Sequence, residues 1–403
     1  MCINSKNWIG IVWYIKENLM KKLTFDKITT NAILIFLFLF LLTGLQIITP
    51  LTAPLRFALI TLIGSLFFFI LYKKKSISRY QLVLFSPFVL FQFIYILNSY
   101  SHTNLDTFFS IFYLIVFGMW VFIVTNVEWR KSHVSLFYFL SILLYIILVL
   151  YSVSSINPLN PNSIGAYAYF LSFFPLLYFV GFSKKYKPAC ILFLFLLCGT
   201  IIYFSEARAI FLSIAFGLIT FLIWKLISKS KVIFYMYFTL IITFGYFLTV
   251  IYPRLEFILP NFEYYNSLMI EYTGKTLNSG RDRIWSALID KIQERLFLGY
   301  GSGTLPSDFI TSTLSAHNLY IQISLQVGII GLSFFLLFLF LTWRTFWLER
   351  NNPKVILIAC YFIGIIVYQL FEVTLTQNNF SLGLLQWTII GFGLSFTLNR
   401  DGL

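Results

Sequence analysis

Charged side chains are scarce in this sequence. Asp, Glu, Lys and Arg make up 11% of its 403 residues, under half the share of about 25% typical of soluble domains. A chain this poor in charge and 59% hydrophobic cannot cover a water-facing surface, which excludes a soluble globular protein. Acids are scarcest, 15 against 29 bases, for a net charge of +14. In a soluble protein that excess would point to nucleic acid. Here it reads as loop Lys and Arg that fix membrane topology and touch anionic lipid, and no nucleic-acid partner is expected. Cysteine is rare too. Cys2, Cys190, Cys198 and Cys360 form no CxxC pair and no zinc spacing, and three of them fall inside apolar runs, which excludes a disulfide framework. Histidine occurs only as His102, His133 and His317. No cluster has metal-ligand spacing, so no metal and no other cofactor is expected. The apolar runs carry almost no charge at their centres, which argues against a proton relay or an ion pathway.

What the chain has in abundance is long apolar sequence, with a mean hydropathy of +0.85. A helix needs about 20 apolar residues to cross a bilayer. Twelve stretches qualify, near 31–49, 53–72, 80–98, 107–125, 134–153, 162–182, 188–204, 208–227, 232–251, 318–342, 355–373 and 381–398. They predict an all-α, polytopic membrane protein. Residues 1–30 read as a cytoplasmic N-terminal segment. Residues 31–403 read as a single membrane domain without internal repeats, with one large loop, residues 252–317, between the ninth and tenth spans. The short apolar stretch at 8–15 is followed by Lys16 and Glu17 and has no small-residue cleavage site, the pattern of an interfacial segment rather than a cleaved signal.

The loops set an orientation. With the N-terminus in the cytoplasm, inner loops hold clusters such as Lys73–Lys75 with Arg79, Arg130 with Lys131, Lys184, Lys185 and Lys187, and Arg344, Arg350 and Lys354. The short outer loops 99–106, 154–162 and 372–379 hold no Lys or Arg. Basic residues favour the inside, so both termini are expected in the cytoplasm. The exceptions are informative. Arg56 and Arg208 fall at outer helix ends, and Arg254, Lys275, Arg281, Arg283, Lys291 and Arg295 fall in the large outer loop, together with His317 at the mouth of the tenth span.

Four stretches stand out on this outer side. Glu206 and Arg208 sit in a tight turn between two spans, where a charge is either functional or an interfacial side chain that snorkels. From Arg281 onward, Ile284, Trp285, Leu288, Ile289, Ile292 and Leu296 follow helical spacing, with Asn278 and Ser279 as possible caps. Arg281 and Arg283 in the first turn oppose the helix dipole unless an anion is bound there. A helix lying on lipid phosphates is the other reading. The run Gly299-Tyr-Gly-Ser-Gly303 matches no phosphate-loop motif and reads as a turn after that helix. His317 precedes a long apolar run, the position of either a structural histidine or a general base. The outer carboxylates Asp106, Glu263, Glu271, Asp308 and Glu372 show no recognisable spacing.

These residues carry a resemblance. His317-Asn318, followed after nine residues by Gly328-Ile-Ile-Gly331, resembles the histidine motif of the O-antigen ligase/polymerase superfamily of bacterial membrane glycosyltransferases. Ser279-Gly280-Arg281 with Trp285, then Leu298-Gly299-Tyr300-Gly301, resembles that family's large periplasmic loop. Ser205-Glu206-Ala207-Arg208 resembles its first arginine site, although Glu206 departs from the pattern, and Asn160-Pro161-Asn162 is similar too. The resemblance implies a GT-C-like, metal-independent glycosyltransferase of the bacterial inner membrane with its active site at the periplasmic face. The implied donor is a glycan on undecaprenyl pyrophosphate. The implied acceptor is lipid A–core in a ligase, or a second lipid-linked glycan in an O-antigen or capsular polymerase. His317, Arg208 and Arg281 are the expected catalytic residues, and Asn318, Arg283, Arg254, Tyr300 and Gly301 the expected substrate-binding ones. A polysaccharide transporter is the competing class, but it would place function at the midplane between related halves.

Overall fold

The computed structural model describes residues 52–73, 77–101, 105–153, 161–182, 207–274, 276, 277, 280–311 and 315–398, with residues 31, 35, 37, 38, 41, 199, 203 and 205. The expected spans at 31–49 and 188–204 lie almost wholly outside them, as do His102, Asn160, Glu206, Lys275, Asn278, Ser279 and the N-terminal segment.

The described chain is helical. In order it forms α1 (Thr52–Lys73), α2 (Arg79–Leu97), α3 (Leu105–Asn126), α4 (Lys131–Val153), α5 (Pro161–Leu171), α6 (Phe173–Phe182), α7 (Arg208–Leu222), α8 (Lys231–Ile251), α9 (Phe262–Thr273), α10 (Arg281–Glu294), α11 (Leu319–Phe346), α12 (Pro353–Tyr368) and α13 (Phe380–Leu398). Among the described residues, eight helical stretches, one of them α5 and α6 taken together, are long and apolar enough to cross a membrane, and eight of the expected spans fall on them. The expected spans at 208–227 and 355–373 fall on the shorter apolar helices α7 and α12. α7 is short because the chain breaks at Ile223 and resumes as a single turn, Trp224–Ile227. The span at 162–182 is likewise interrupted, at Ser172, into α5 and α6.

Start signals sit where capping chemistry wants them. Ser78 and Ser230 accept from the backbone N–H three residues on, at 3.2 Å in both α2 and α8, and Asn352 caps α12 ahead of Pro353. Such caps satisfy helix N–H groups that have no partner within the helix.

Burial separates the centre of the bundle from its rim. In α13, 94% of the apolar window is buried inside the protein, against 17% in α1, so α13 is the axis and α1 faces outward. Aromatic rings fill the axis: Trp387 lies 5.2 Å from Phe88 and Trp343 stacks at 4.4 Å on Phe234. α7 and α12 cross closely, since a Cβ at Gly217 would stand 3.2 Å from Cys360 O. One end of the bundle gathers basic residues: Trp224 Nε1 donates to Arg350 O at 2.9 Å, and Lys354 Nζ lies 5.1 Å from the Phe396 ring. At the other end, the described residues of 252–317 form a cap.

Candidate functional site

The cap is tied to the bundle through α10. Its helix starts at Arg281 after Gly280, whose φ of +73° turns the chain sharply into it. The face bearing Ile284, Trp285 and Leu288 is buried against Ile321 and Leu325 of α11. Trp285 is fully buried, 5.1 Å from Tyr252 and 6.3 Å from Phe371. Its indole N–H donates to Ala316 O at 2.8 Å. The residue before His317 is therefore pinned by the cap helix.

The residue after it is pinned as well. Asn318 is fully buried and its Oδ1 accepts from Tyr320 N at 3.0 Å and Ile321 N at 3.1 Å. Its Nδ2 donates to Thr249 Oγ1 of α8 at 3.2 Å. The side chain is spent on capping α11 and joining it to α8. Held from both sides, His317 adopts a left-handed backbone, φ +47°, at a cost of about 1–3 kcal/mol that rigid surroundings must offset. Such outliers gather at functional sites.

The His317 side chain meets Glu372, which in turn meets Arg281. Nδ1 stands 3.5 Å from Glu372 Oε2, and Glu372 Oε1 stands 3.9 Å from an Arg281 terminal nitrogen. The first pair is within ion-pair reach, yet the buried Nδ1 lacks a hydrogen bond of good geometry. His317 keeps 24% side-chain exposure and Glu372 16%, so the cluster borders solvent rather than the sealed core. Arg281 also donates to Phe371 O at 3.4 Å and lies 5.6 Å from the Phe371 ring. The turn carrying Glu372 is itself anchored. Gln369 O accepts from Leu319 N at 2.9 Å, and Gln369 Oε1 accepts from Thr374 N at 3.0 Å.

The other expected site residues lie at varying removes. Arg208, at the start of α7, donates to Thr276 O at 3.3 Å, just upstream of Arg281. Arg283 is exposed on the first turn of α10, and Arg254 is exposed beyond the end of α8. Tyr300 and Gly301 are engaged elsewhere. Tyr300 N donates to Leu325 O at 2.8 Å and Gly301 N to Gln326 O at 3.0 Å. These bonds brace a break in α11 at Gly328, where φ is +64° and ψ −170°. The Tyr300 hydroxyl donates to Glu294 at 2.7 Å. Lys291 and Tyr300, in that order, hold the Glu294 carboxyl below its usual range, while desolvation and then Glu294 push the Tyr300 phenol up. The run at 299–303 is thus a brace for the helix break.

Beside the cluster lies an apolar cavity of about 610 Å³. Ile241 and Leu336 line its deep end, Thr249, Tyr320 and Leu370 its flank, and Ile289, Gln293 and Arg254 the cap side. Thr249 is the partner of Asn318, the residue after His317, so the cavity comes close to the cluster, although His317, Arg281 and Glu372 do not themselves line it. Of the cluster, Glu372 is the member that sequence spacing did not reveal. Its position in a short loop without other charge was the available signal.

Fold and site together define a polytopic helical membrane protein with an arginine–histidine–glutamate cluster where a cap meets its helices. Residues 193–336, about a third of the chain, match the family model described as O-antigen ligase, so this segment is similar to that family, whose members are glycosyltransferase-like enzymes. The match takes in Arg208, Arg281 and His317 and ends before Glu372. No curated protein matches the chain.

Proposed function

We propose that the protein transfers a glycan from undecaprenyl pyrophosphate to an acceptor sugar hydroxyl at the periplasmic face of the bacterial inner membrane, with lipid A–core as the acceptor. The observation that carries this reading is the juxtaposition of the His317–Glu372–Arg281 cluster with an apolar cavity that runs down between membrane helices. A lipid-linked pyrophosphate needs both environments at once. Its chain is stabilised by apolar surface at roughly 0.8 kcal/mol per buried CH₂. Its diphosphate needs fixed cationic donors, and guanidinium offers two parallel N–H groups to phosphate oxygens.

In the proposed reaction the acceptor O–H proton moves to His317. A bond forms between the acceptor oxygen and the anomeric carbon, and the bond from that carbon to the pyrophosphate oxygen breaks. The electron pair leaves on the pyrophosphate, where Arg281 and Arg208 stabilise the developing charge. The proposal needs no metal ion. Both termini lie in the cytoplasm, consistent with the basic residues at the end of the bundle opposite the cap.

The same donor site serves a second acceptor, another lipid-linked repeat unit, in which case the protein is a polymerase. The test is reconstitution of the purified protein in proteoliposomes with an undecaprenyl-pyrophosphate-linked glycan and each acceptor in turn. Glycan appearing on lipid A–core supports the ligase. Lengthened lipid-linked chains assign the polymerase. Translocation of the donor without any new glycosidic bond would overturn both.

A further inference from the structure

Buried polar atoms in folded proteins nearly always have a hydrogen-bond partner. His317 Nδ1 is buried and makes no well-formed hydrogen bond, and Glu372 Oε2 is 3.5 Å away. The other carboxylate oxygen faces Arg281, at 3.9 Å, so the carboxylate lies between the imidazole and the guanidinium. The turn beneath it is fixed by Gln369, which also bonds the first turn of α11 directly behind His317. The carboxylate and the imidazole are therefore held against each other by a common scaffold.

We propose that Glu372 is a positioning residue for His317. It accepts a hydrogen bond from Nδ1–H and so leaves Nε2 as the unprotonated nitrogen that faces the acceptor hydroxyl. The inference rests on the reading of His317 as general base and adds the group that selects its tautomer. The logic is that of any base oriented by a third side chain. When the acceptor proton arrives on Nε2, the imidazole becomes a cation with N–H on both nitrogens. Glu372 stays ionised and stabilises that cation across the Nδ1–H bond. Arg281 contributes by holding the carboxylate in register. Glu372 lies beyond the matched family segment, on the turn before α13, so the site is completed by a part of the chain that the family match does not cover.

The test uses full-length protein in lipid nanodiscs, with imidazole nitrogens labelled by ¹⁵N-histidine. Only three histidines are present, and the signals lost in His317→Gln identify the site. In its neutral form, His317 is expected to show a protonated Nδ1 and a bare Nε2. Glu372→Ala is expected to lose that pattern, and Glu372→Gln, which preserves shape, to keep the protein folded while lowering turnover on the order of 10²-fold with donor KM unchanged. In a His317→Ala background the Glu372→Gln change is expected to have almost no further effect on turnover, because residues acting as a unit are not additive. A bare Nδ1 in the parent, or an unchanged tautomer in a folded Glu372→Ala protein, would overturn the inference. The tautomer is read without any transfer assay. A protein with the expected tautomer and no transferase activity would sink the functional reading and leave the positioning intact.

Discussion

At the scale of single residues, His317 is defined by what holds it. Trp285 fixes the carbonyl before it and Asn318 the helix after it. Asn318→Ala removes the cap of α11 and is expected to cost about 0.5–2 kcal/mol of stability. Asn318→Asp keeps an acceptor for Tyr320 and Ile321 N–H and is expected to lose less. Thermal unfolding in detergent distinguishes them, and equal melting of parent and Ala variant would contradict the capping role. Arg281 supports a prediction of activity rather than stability. Arg281→Ala is expected to lower turnover about 10²–10³-fold, and Arg281→Lys to recover little, because a point charge lacks the planar fork. Full activity of both variants would mean that α10 merely docks on lipid phosphate. Part of this site was legible. His317 stood out by rarity and by its place before an apolar run, and Arg281 by charge in a helix start that disfavours it. Glu372 did not, because its partners are brought near by folding and no local spacing marks the pairing. Asn318 was visible as polar, but its role as a cap shared with Thr249 depends on α8 packing alongside.

At the scale of elements, the decisive feature is the break in α11. Ile329 N donates to Leu296 O at 2.8 Å, and Asn98 Nδ2 donates to Gln326 O at 2.7 Å. With Tyr300 and Gly301, these contacts satisfy backbone groups that a membrane helix cannot leave open. The chain can approach so closely only because two glycines face it. A Cβ on Gly328 would stand 2.1 Å from Phe297 O, and one on Gly299 2.6 Å from Leu325 O. Gly328→Ala is therefore expected to destabilise by at least about 1–3 kcal/mol from backbone strain alone and to loosen the cap. Gly64→Ala, where nothing lies within 4 Å, is expected to be neutral or to gain up to about 1 kcal/mol of helix propensity. A melting comparison checks the pair, and an unperturbed Gly328→Ala protein would contradict the brace. Sequence alone reads residues 299–303 as a turn. The partner strand of backbone lies in the middle of an apolar run, and an isolated glycine there does not announce a break.

At the scale of the whole molecule, bilayer thickness made most helices legible, since a run of about 20 apolar residues has few other uses. Interruptions at Ser172, Ile223 and Gly328 were not, because they depend on which neighbours replace the lost helix bonds. The proposed orientation predicts chemical access. In a background without the native cysteines, Ser307→Cys and Thr311→Cys on the cap are expected to react with a membrane-impermeant thiol reagent added outside intact spheroplasts. Ser132→Cys and Lys229→Cys, at the opposite end, are expected to react only after permeabilisation. The reverse pattern would put the site on the wrong side for an outer-leaflet donor.

The central claim is that His317 removes a proton in glycosyl transfer. It is tested most directly by single-turnover transfer with purified His317→Ala and parent protein at saturating donor, alongside their melting temperatures. A general base contributes about 10²–10⁴-fold, so the variant is expected to lose that factor in turnover while donor affinity and folding hold. Near-parental turnover, or a loss that merely tracks a fall in stability, would contradict the account.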